Sequence, residues 1–168
     1  MGVKNSYGLA KLELGTYSTV DGTATNFVEY PVYKDTMVIS EAEPTATKHF
    51  QAGKVHPIVV NLQGGEEVAS FTIMDTQADT MATLLGGTVT TVGQVKTWKK
   101  ATGQPTEIIK VLRATTLDGR VITISRGSLM AKKNLDLGDA KLAGIDVKVT
   151  VTETGFSGVA PMTITEAV

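Results

Sequence analysis

Ile145-Asp146-Val147-Lys148-Val149-Thr150-Val151-Thr152 is the stretch that decides the fold. Aliphatic side chains hold every odd position and polar ones every even position. A β-strand turns successive side chains to opposite faces, so this pattern makes one buried and one solvated face. Val147, Val149 and Val151 point to the core in this reading, and Asp146, Lys148, Thr150 and Thr152 to the other side.

The same alternation runs outward from that strand. Ala10, Leu12 and Leu14 alternate with Lys11 and Glu13, and strand character returns at Val28 to Tyr33 and at Met37, Val38 and Ile39. Ile58 to Leu62 and Ala69 to Ile73 flank Gly64-Gly65, which predicts a hairpin with a glycine turn. A second hairpin pairs Ile108 to Thr115 with Val121 to Ser125 across Leu117-Asp118-Gly119. Thr88 to Val92 and Met162 to Thr165 are shorter strands, and Gly127 to Asp139 reads equally as strand or loop. Thr16 to Asn26 has almost nothing to bury and reads as a polar loop or arm. After Val92 the chain reads as a polar stretch to Gln104-Pro105.

One helix is predicted, over about 76–85. Ala78, Met81, Ala82 and Leu85 make a single apolar stripe, Thr76 with Asp79 forms a capping-box pattern, and Gly86-Gly87 supplies the stop. Seven to ten short strands and one helix describe a mainly β domain. Its expected form is a sandwich or barrel of two antiparallel sheets flanked by the helix, in a single domain over 1–168. Ser40 to His56 breaks the pattern. A long irregular stretch in a compact domain is usually functional or mobile, which singles out Glu41, Glu43, Lys48, His49 and Phe50.

Composition narrows the function classes. A chain of 168 residues buries about 70% of the surface its unfolded form exposes, enough for one core without staples. Cysteine is absent, so disulfides, thiolate nucleophiles and cysteine-based zinc sites are excluded. Sixteen basic and 17 acidic residues leave a net charge of -1, and no global field draws nucleic acid or anionic membrane. The first residues lack the apolar core of a signal peptide, and no apolar run has the length of a membrane span. Gly2 with Ser6 matches a short myristoylation pattern. Charged residues make up 20% of the chain, under the roughly 25% of ordinary domains, and threonine is abundant. Low charge with polar β-formers suits a surface that meets other protein.

Catalytic chemistry finds little support. His49 and His56 stand seven apart outside any helix and match no metal-binding spacing. Ser157 in Gly155-Phe156-Ser157-Gly158 has the wrong spacing for a nucleophile elbow and no helix after it. Glu41 with Glu43, Glu66 with Glu67 and Asp136 with Asp139 read as solvated turn acids rather than paired glycosidase carboxylates. In Lys96-Thr97-Trp98-Lys99-Lys100, Trp98 could stack a base while the lysines follow phosphates. The preferred reading has Trp98 covering apolar surface, or a protein interface, with its neighbours wet. The chain is therefore expected to be non-enzymatic and to need no metal or cofactor.

In order along the chain come Tyr7-Gly8-Leu9-Ala10-Lys11-Leu12, Tyr33-Lys34-Asp35-Thr36, Ser70-Phe71-Thr72-Ile73-Met74-Asp75 and Leu84-Leu85-Gly86-Gly87. Thr116-Leu117-Asp118-Gly119-Arg120, Val121-Ile122-Thr123-Ile124-Ser125-Arg126, Lys132-Lys133 and the strand Ile145 to Thr152 complete the set. Together they resemble the tail tube proteins of long-tailed bacteriophages over nearly the whole chain. The resemblance implies a structural subunit of the virion tail, made in the bacterial cytoplasm, whose hexameric rings stack into a conduit for double-stranded DNA. In such a chain the myristoylation pattern carries no meaning. It further implies that Ser40 to His56 reaches the neighbouring ring, and that tape measure, tail terminator and distal tail proteins are partners. Inner tubes of contractile tails and of type VI secretion share the fold, and stay open as alternatives. A monomeric β-sandwich that binds carbohydrate on Trp98 and tyrosines is the competing class. A DNA conduit must not hold its cargo, so its wall should carry few unpaired bases. Asp146, Lys148, Thr150 and Thr152 meet that demand if Asp146 offsets Lys148.

Overall fold

The computed structural model describes residues 8–138 and 142–166; Gly2, Ser6, Tyr7 and Asp139 lie outside them. The chain is mainly β. Its strands are β1 (Leu9–Tyr17), β2 (Ala24–Glu29), β3 (Val38–Glu41), β4 (Thr45–His49), β5 (Val59–Gln63) and β6 (Glu67–Ile73). After helix α1 (Ala78–Leu85) come β7 (Thr88–Val92), β8 (Val95–Lys99), β9 (Ile108–Thr116), β10 (Val121–Asn134), β11 (Gly144–Val151) and β12 (Met162–Thr165). Among the described residues there are twelve strands, more than the seven to ten expected.

Eight strands form one antiparallel sheet in the order β2-β1-β9-β10-β11-β6-β3, with β12 also on β10. β10 is the hinge of that sheet. Its first half lies between β9 and β12, its second between β9 and β11, and the ladder slips between Ile124 and Gly127. A bulge of this kind bends the strand and increases its twist. Gly127 permits the bend, since a Cβ there would fall 2.3 Å from Val149 Cγ1. The two halves of the sheet thereby face one another across one core. Leu12, Leu14, Leu112 and Ile124 come from one side, and Phe71, Ile73, Ile145, Val147 and Val149 from the other. The chain after β2 nearly closes the roll. The Tyr30 amide donates to the Leu12 carbonyl at 2.9 Å, Tyr33 to Thr72 at 2.8 Å, and Val32 bridges Ile73.

The outer face of β1 and β9 carries a covered ion cluster. Glu13 is buried between Arg113 Nε at 2.7 Å and Lys11 Nζ at 2.8 Å, and the Arg113 guanidinium lies 3.9 Å over the Phe27 ring. The hydrogen bonds from Arg113 and then Lys11 hold the Glu13 carboxyl below the usual carboxylate range.

Four local expectations are corrected. The helix begins at Ala78 and has no side-chain cap, so Thr76 and Asp79 make no capping box. Asp75 organises the start instead, accepting the Gln77 amide at 2.9 Å and the Thr80 hydroxyl at 2.5 Å. The helix presents Thr80 and Leu84 most deeply, with Met81 and Leu85 beside them, a stripe rotated from the expected one. Thr16 to Asn26 is a hairpin rather than a loop, joining β1 to β2 through a turn closed by Ser18 and Thr23. Val95 to Lys99, within the expected polar stretch, is a strand paired with β7.

The fourth correction concerns Gly64-Gly65. β5 does not pair with β6; it pairs with β4, while β6 lies between β11 and β3. The stretch Ser40 to His56 is thus not an irregular loop, because Ser40 and Glu41 end β3 and Thr45 to His49 form β4. Register shows what the segment is. Glu41 sits opposite Glu67 and Thr45 opposite Gln63, four residues further on each chain, with the Ala42 amide donating to the Glu66 carbonyl at 2.9 Å between them. β3–β4 and β5–β6 are therefore one two-stranded ribbon in unbroken register. The glycines sit at the root of the outer part rather than at a turn. Pro44 lacks an amide to donate there, and a Cβ on Gly65 would fall 1.7 Å from the Ala42 carbonyl oxygen.

Candidate assembly surfaces

The outer half of the ribbon, β4 and β5 with the turn between them, stands free of the core. From Glu41 to His49 it advances about 26 Å at the usual rise of a strand. Every residue of both strands is exposed. Alternate pairs share a face. Ala46 with Leu62 and Lys48 with Val60 occupy one side; Thr45 with Gln63, Thr47 with Asn61 and His49 with Val59 occupy the other. Phe50, Val55 and Ile58 lie in the turn and are also exposed, so six large apolar side chains of residues 50–62 meet solvent. Leu62 is 76% exposed. An isolated two-stranded hairpin is marginal in water, and one with an apolar face gains stability only when that face is covered.

Charge is unevenly spread along the arm. Thr45 to Gln63 contains Lys48 and Lys54 and no acid. Glu41, Glu43, Glu66 and Glu67 gather at the root, with Glu41 directly across from Glu67. Among the described residues no ion pair reaches any of these six groups. Like charges opposite one another across a ladder are unfavourable. His49 and His56 are both exposed on the arm, one on β4 and one in the turn.

The second candidate surface is the outer face of β10, β11 and β6. Val147 and Val149 are buried as expected, Val151 is half-buried, and Asp146, Lys148 and Thr150 stand on the opposite face. That face forms a shallow cleft of about 620 Å³ lined by Ser70, Thr72, Met130, Lys132, Asp146 and Lys148. Asp146 accepts the Thr72 hydroxyl at 2.8 Å and lies 3.7 Å from Lys132 Nζ. The offset of Lys148 by Asp146 is corrected accordingly: the cation paired with Asp146 is Lys132 on β10, and Lys148 is exposed opposite Met130 and Ser70. Thr150 donates to Glu66 at 3.2 Å. Thr152 lies just beyond β11, where its hydroxyl accepts from Arg126 at 2.6 Å and donates to the Arg126 carbonyl at 3.1 Å.

The basic cluster on β8 belongs to the body. Trp98 Nε1 donates to the Gly86 carbonyl at 2.8 Å, at the end of α1, and Lys133 Nζ lies 5.3 Å from the centre of its ring. Lys96 pairs with Asp79 on α1, while Lys99 and Lys100 are exposed. Trp98 thus covers the helix end, with its ring edge bonded and a cation over its face. Ser157 sits in a short exposed turn leading to β12, without a helix after it. Asp136 accepts the Gly138 amide in a turn of its own. No group of three histidine, cysteine or acidic side chains among the described residues could hold a metal ion. No helix among them is long and apolar enough to cross a membrane.

Sequence reasoning missed the β4–β5 arm, the β7–β8 hairpin and the Lys11–Glu13–Arg113 cluster. Only the last had a readable signal, in charges of both signs on the polar face of an alternating strand. No protein-family model matches the chain, and no curated protein shows significant similarity to it.

Proposed function

We propose that this protein is a structural subunit that assembles into stacked rings, forming a tube of the phage-tail kind through which double-stranded DNA passes. The observation that carries the reading is the free-standing arm. A ribbon rooted in the main sheet, exposed on both faces and apolar on one, has no stabilising partner among the described residues of its own molecule. Glu41, Glu43, Lys48, His49 and Phe50 all lie on this arm or its root, so a contact between rings through Ser40 to His56 uses it directly. Among the described residues the edge strands β2 and β3 each pair on one side only, which leaves main-chain groups for lateral neighbours.

The outer face of β11 suits the bore. Its charges are few and mostly engaged: Lys132 with Asp146 and Arg126 with Thr152, while Lys148, opposite Met130 and Ser70, has no ion pair among the described residues. A wall of that kind releases few counterions on contact with DNA and so lets it slide. Tape measure, terminator and distal tail proteins would close the two ends, and the virion tail would be the site of action. Negative-stain images of the concentrated full-length protein test the proposal. Annuli and rods are the expected outcome, with light scattering that rises with concentration. A monomer at every salt and protein concentration would overturn it.

A further inference from the structure

We infer that the apolar face of the β4–β5 arm docks into a groove on a second copy of this chain, the groove that opens at the far end of the same ribbon. The inference rests on the tube reading and adds the receptor surface to it. The groove has a volume of about 500 Å³ and opens between the start of β3 and the β9–β10 turn. Its walls are Leu9, Val32, Met37, Ile39, Leu117 and Ile122. Five of these pack on the core from one side and are only half-buried, while Leu117 is 61% exposed at the rim. Among the described residues, the incomplete closure of the sheet leaves these aliphatic side chains without full cover.

Position makes the match directional. Val32 bridges Ile73, Tyr33 bonds to Thr72 and Ile39 lies opposite Ala69, so the groove runs beside β6 from its middle to the end where the strand finishes. The arm departs at Glu67, where β6 begins. From there the arm runs on away from the groove, whose nearest wall, Ile39, lies opposite Ala69 two residues back and whose far wall, Val32, lies about 20 Å back along β6. The arm cannot fill the groove of its own molecule. A surface at one end that fits a surface at the other is a heterologous contact, which adds copies along an axis instead of closing a pair. Chemistry agrees. Val60 and Leu62, with Ala46 and the aliphatic stem of Lys48, offer the groove an apolar edge. At the rim Asp35 has no ion pair among the described residues, beside Lys34, and the arm brings Lys48 and Lys54 without an acid.

The absence of cysteine allows a direct test with Leu62→Cys and Leu117→Cys in the full chain, both at exposed positions. Mild oxidation of the assembled protein should give a ladder of dimers, trimers and longer multimers on a non-reducing gel. Each single substitution should stop at dimers, and Leu62→Cys with Val28→Cys, on the exposed side of β2, should give no ladder. Rods that form normally without a ladder from Leu62/Leu117 overturn the docking and leave the tube reading standing. An intrachain link between Val3→Cys and Leu117→Cys would assign the groove to the chain's own residues 1–7 and also overturn it. A protein that never polymerises removes the tube reading and the docking together.

Discussion

Two hairpins leave the body of this molecule, and they differ in how they are fastened. The β7–β8 hairpin exposes Val92 and Val95 at its tip, but its base is secured. Trp98 bonds to the end of α1, Lys96 pairs with Asp79, and Val89 is half-buried. The β4–β5 arm has no such attachment: among the described residues no side-chain hydrogen bond or ion pair ties 43–63 to the rest. The same motif therefore serves two purposes. A fastened hairpin completes the surface of its own chain, and an unfastened one with an apolar face is free for the assembly contact proposed above.

The comparison breaks most visibly at Trp98. Trp98→Ala should destabilise the free subunit by about 2–3 kcal/mol, below the range for a fully buried tryptophan because the ring is partly exposed. A chain this long then melts about 5–10 °C lower. An unchanged thermal transition would mean that the fastening is not structural. Next comes the root of the arm. Gly65→Ala drives a methyl into the Ala42 carbonyl, at a cost of about 1–3 kcal/mol unless the arm swings aside. In either case rods should be lost, and electron micrographs of intact rods would contradict the rooted-ribbon geometry.

Acid should act on the body through Glu13. Glu13 is held below its ordinary value of 4.5 by Arg113 and Lys11, so it contributes stability above the pKa of the unfolded chain. That contribution fades as pH falls through the lower, folded value. Glu13→Gln should cost about 1–2 kcal/mol near neutrality, given that both cations are partly exposed, and should flatten the acid limb of a stability–pH curve. A variant with the wild-type acid limb would show that Glu13 is not its source. The smallest effect on the free subunit belongs to the arm. Leu62→Asp should change its stability by less than about 0.5 kcal/mol while abolishing rods. Hydrogen exchange sharpens the point: amides of Thr45 to Gly53 should exchange fast in free subunits and slowly in rods. Equal rates in both states would remove the arm from the assembly contact.

The contrast between the hairpins also explains what could be read from the sequence. Ile145 to Val151, the β9–β10 hairpin and the existence of α1 were legible because one face of each is buried, which imprints its period on the residues. Thr45-Ala46-Thr47-Lys48-His49 carries no such imprint, since both faces of β4 meet solvent. Gly64-Gly65 misled for a related reason. A glycine pair between two apolar runs has the look of a turn, yet here it serves the close approach of Gly65 to Ala42. β8 was hidden by its lysines. The outer face of β11 was legible in its polarity, but not in its pairings, because Lys132 reaches Asp146 from a strand whose register no single sequence reveals.

The unbroken register of the ribbon has a mechanical consequence. Hydrogen bonds of an antiparallel ladder lie across the strands, so a pull along the arm, which draws β3 and β6 the same way, loads the β6–β11 bonds in shear, all at once, rather than peeling them one by one. β6 is also gripped on its other side by β11 over six residue pairs, Ile73 to Val68. Tension entering at the tip is thereby spread into the middle of the main sheet instead of stopping at its edge. A tube held together by such ribbons would bend and stretch as a chain of stiff links, and would part between copies before any one of them unravelled.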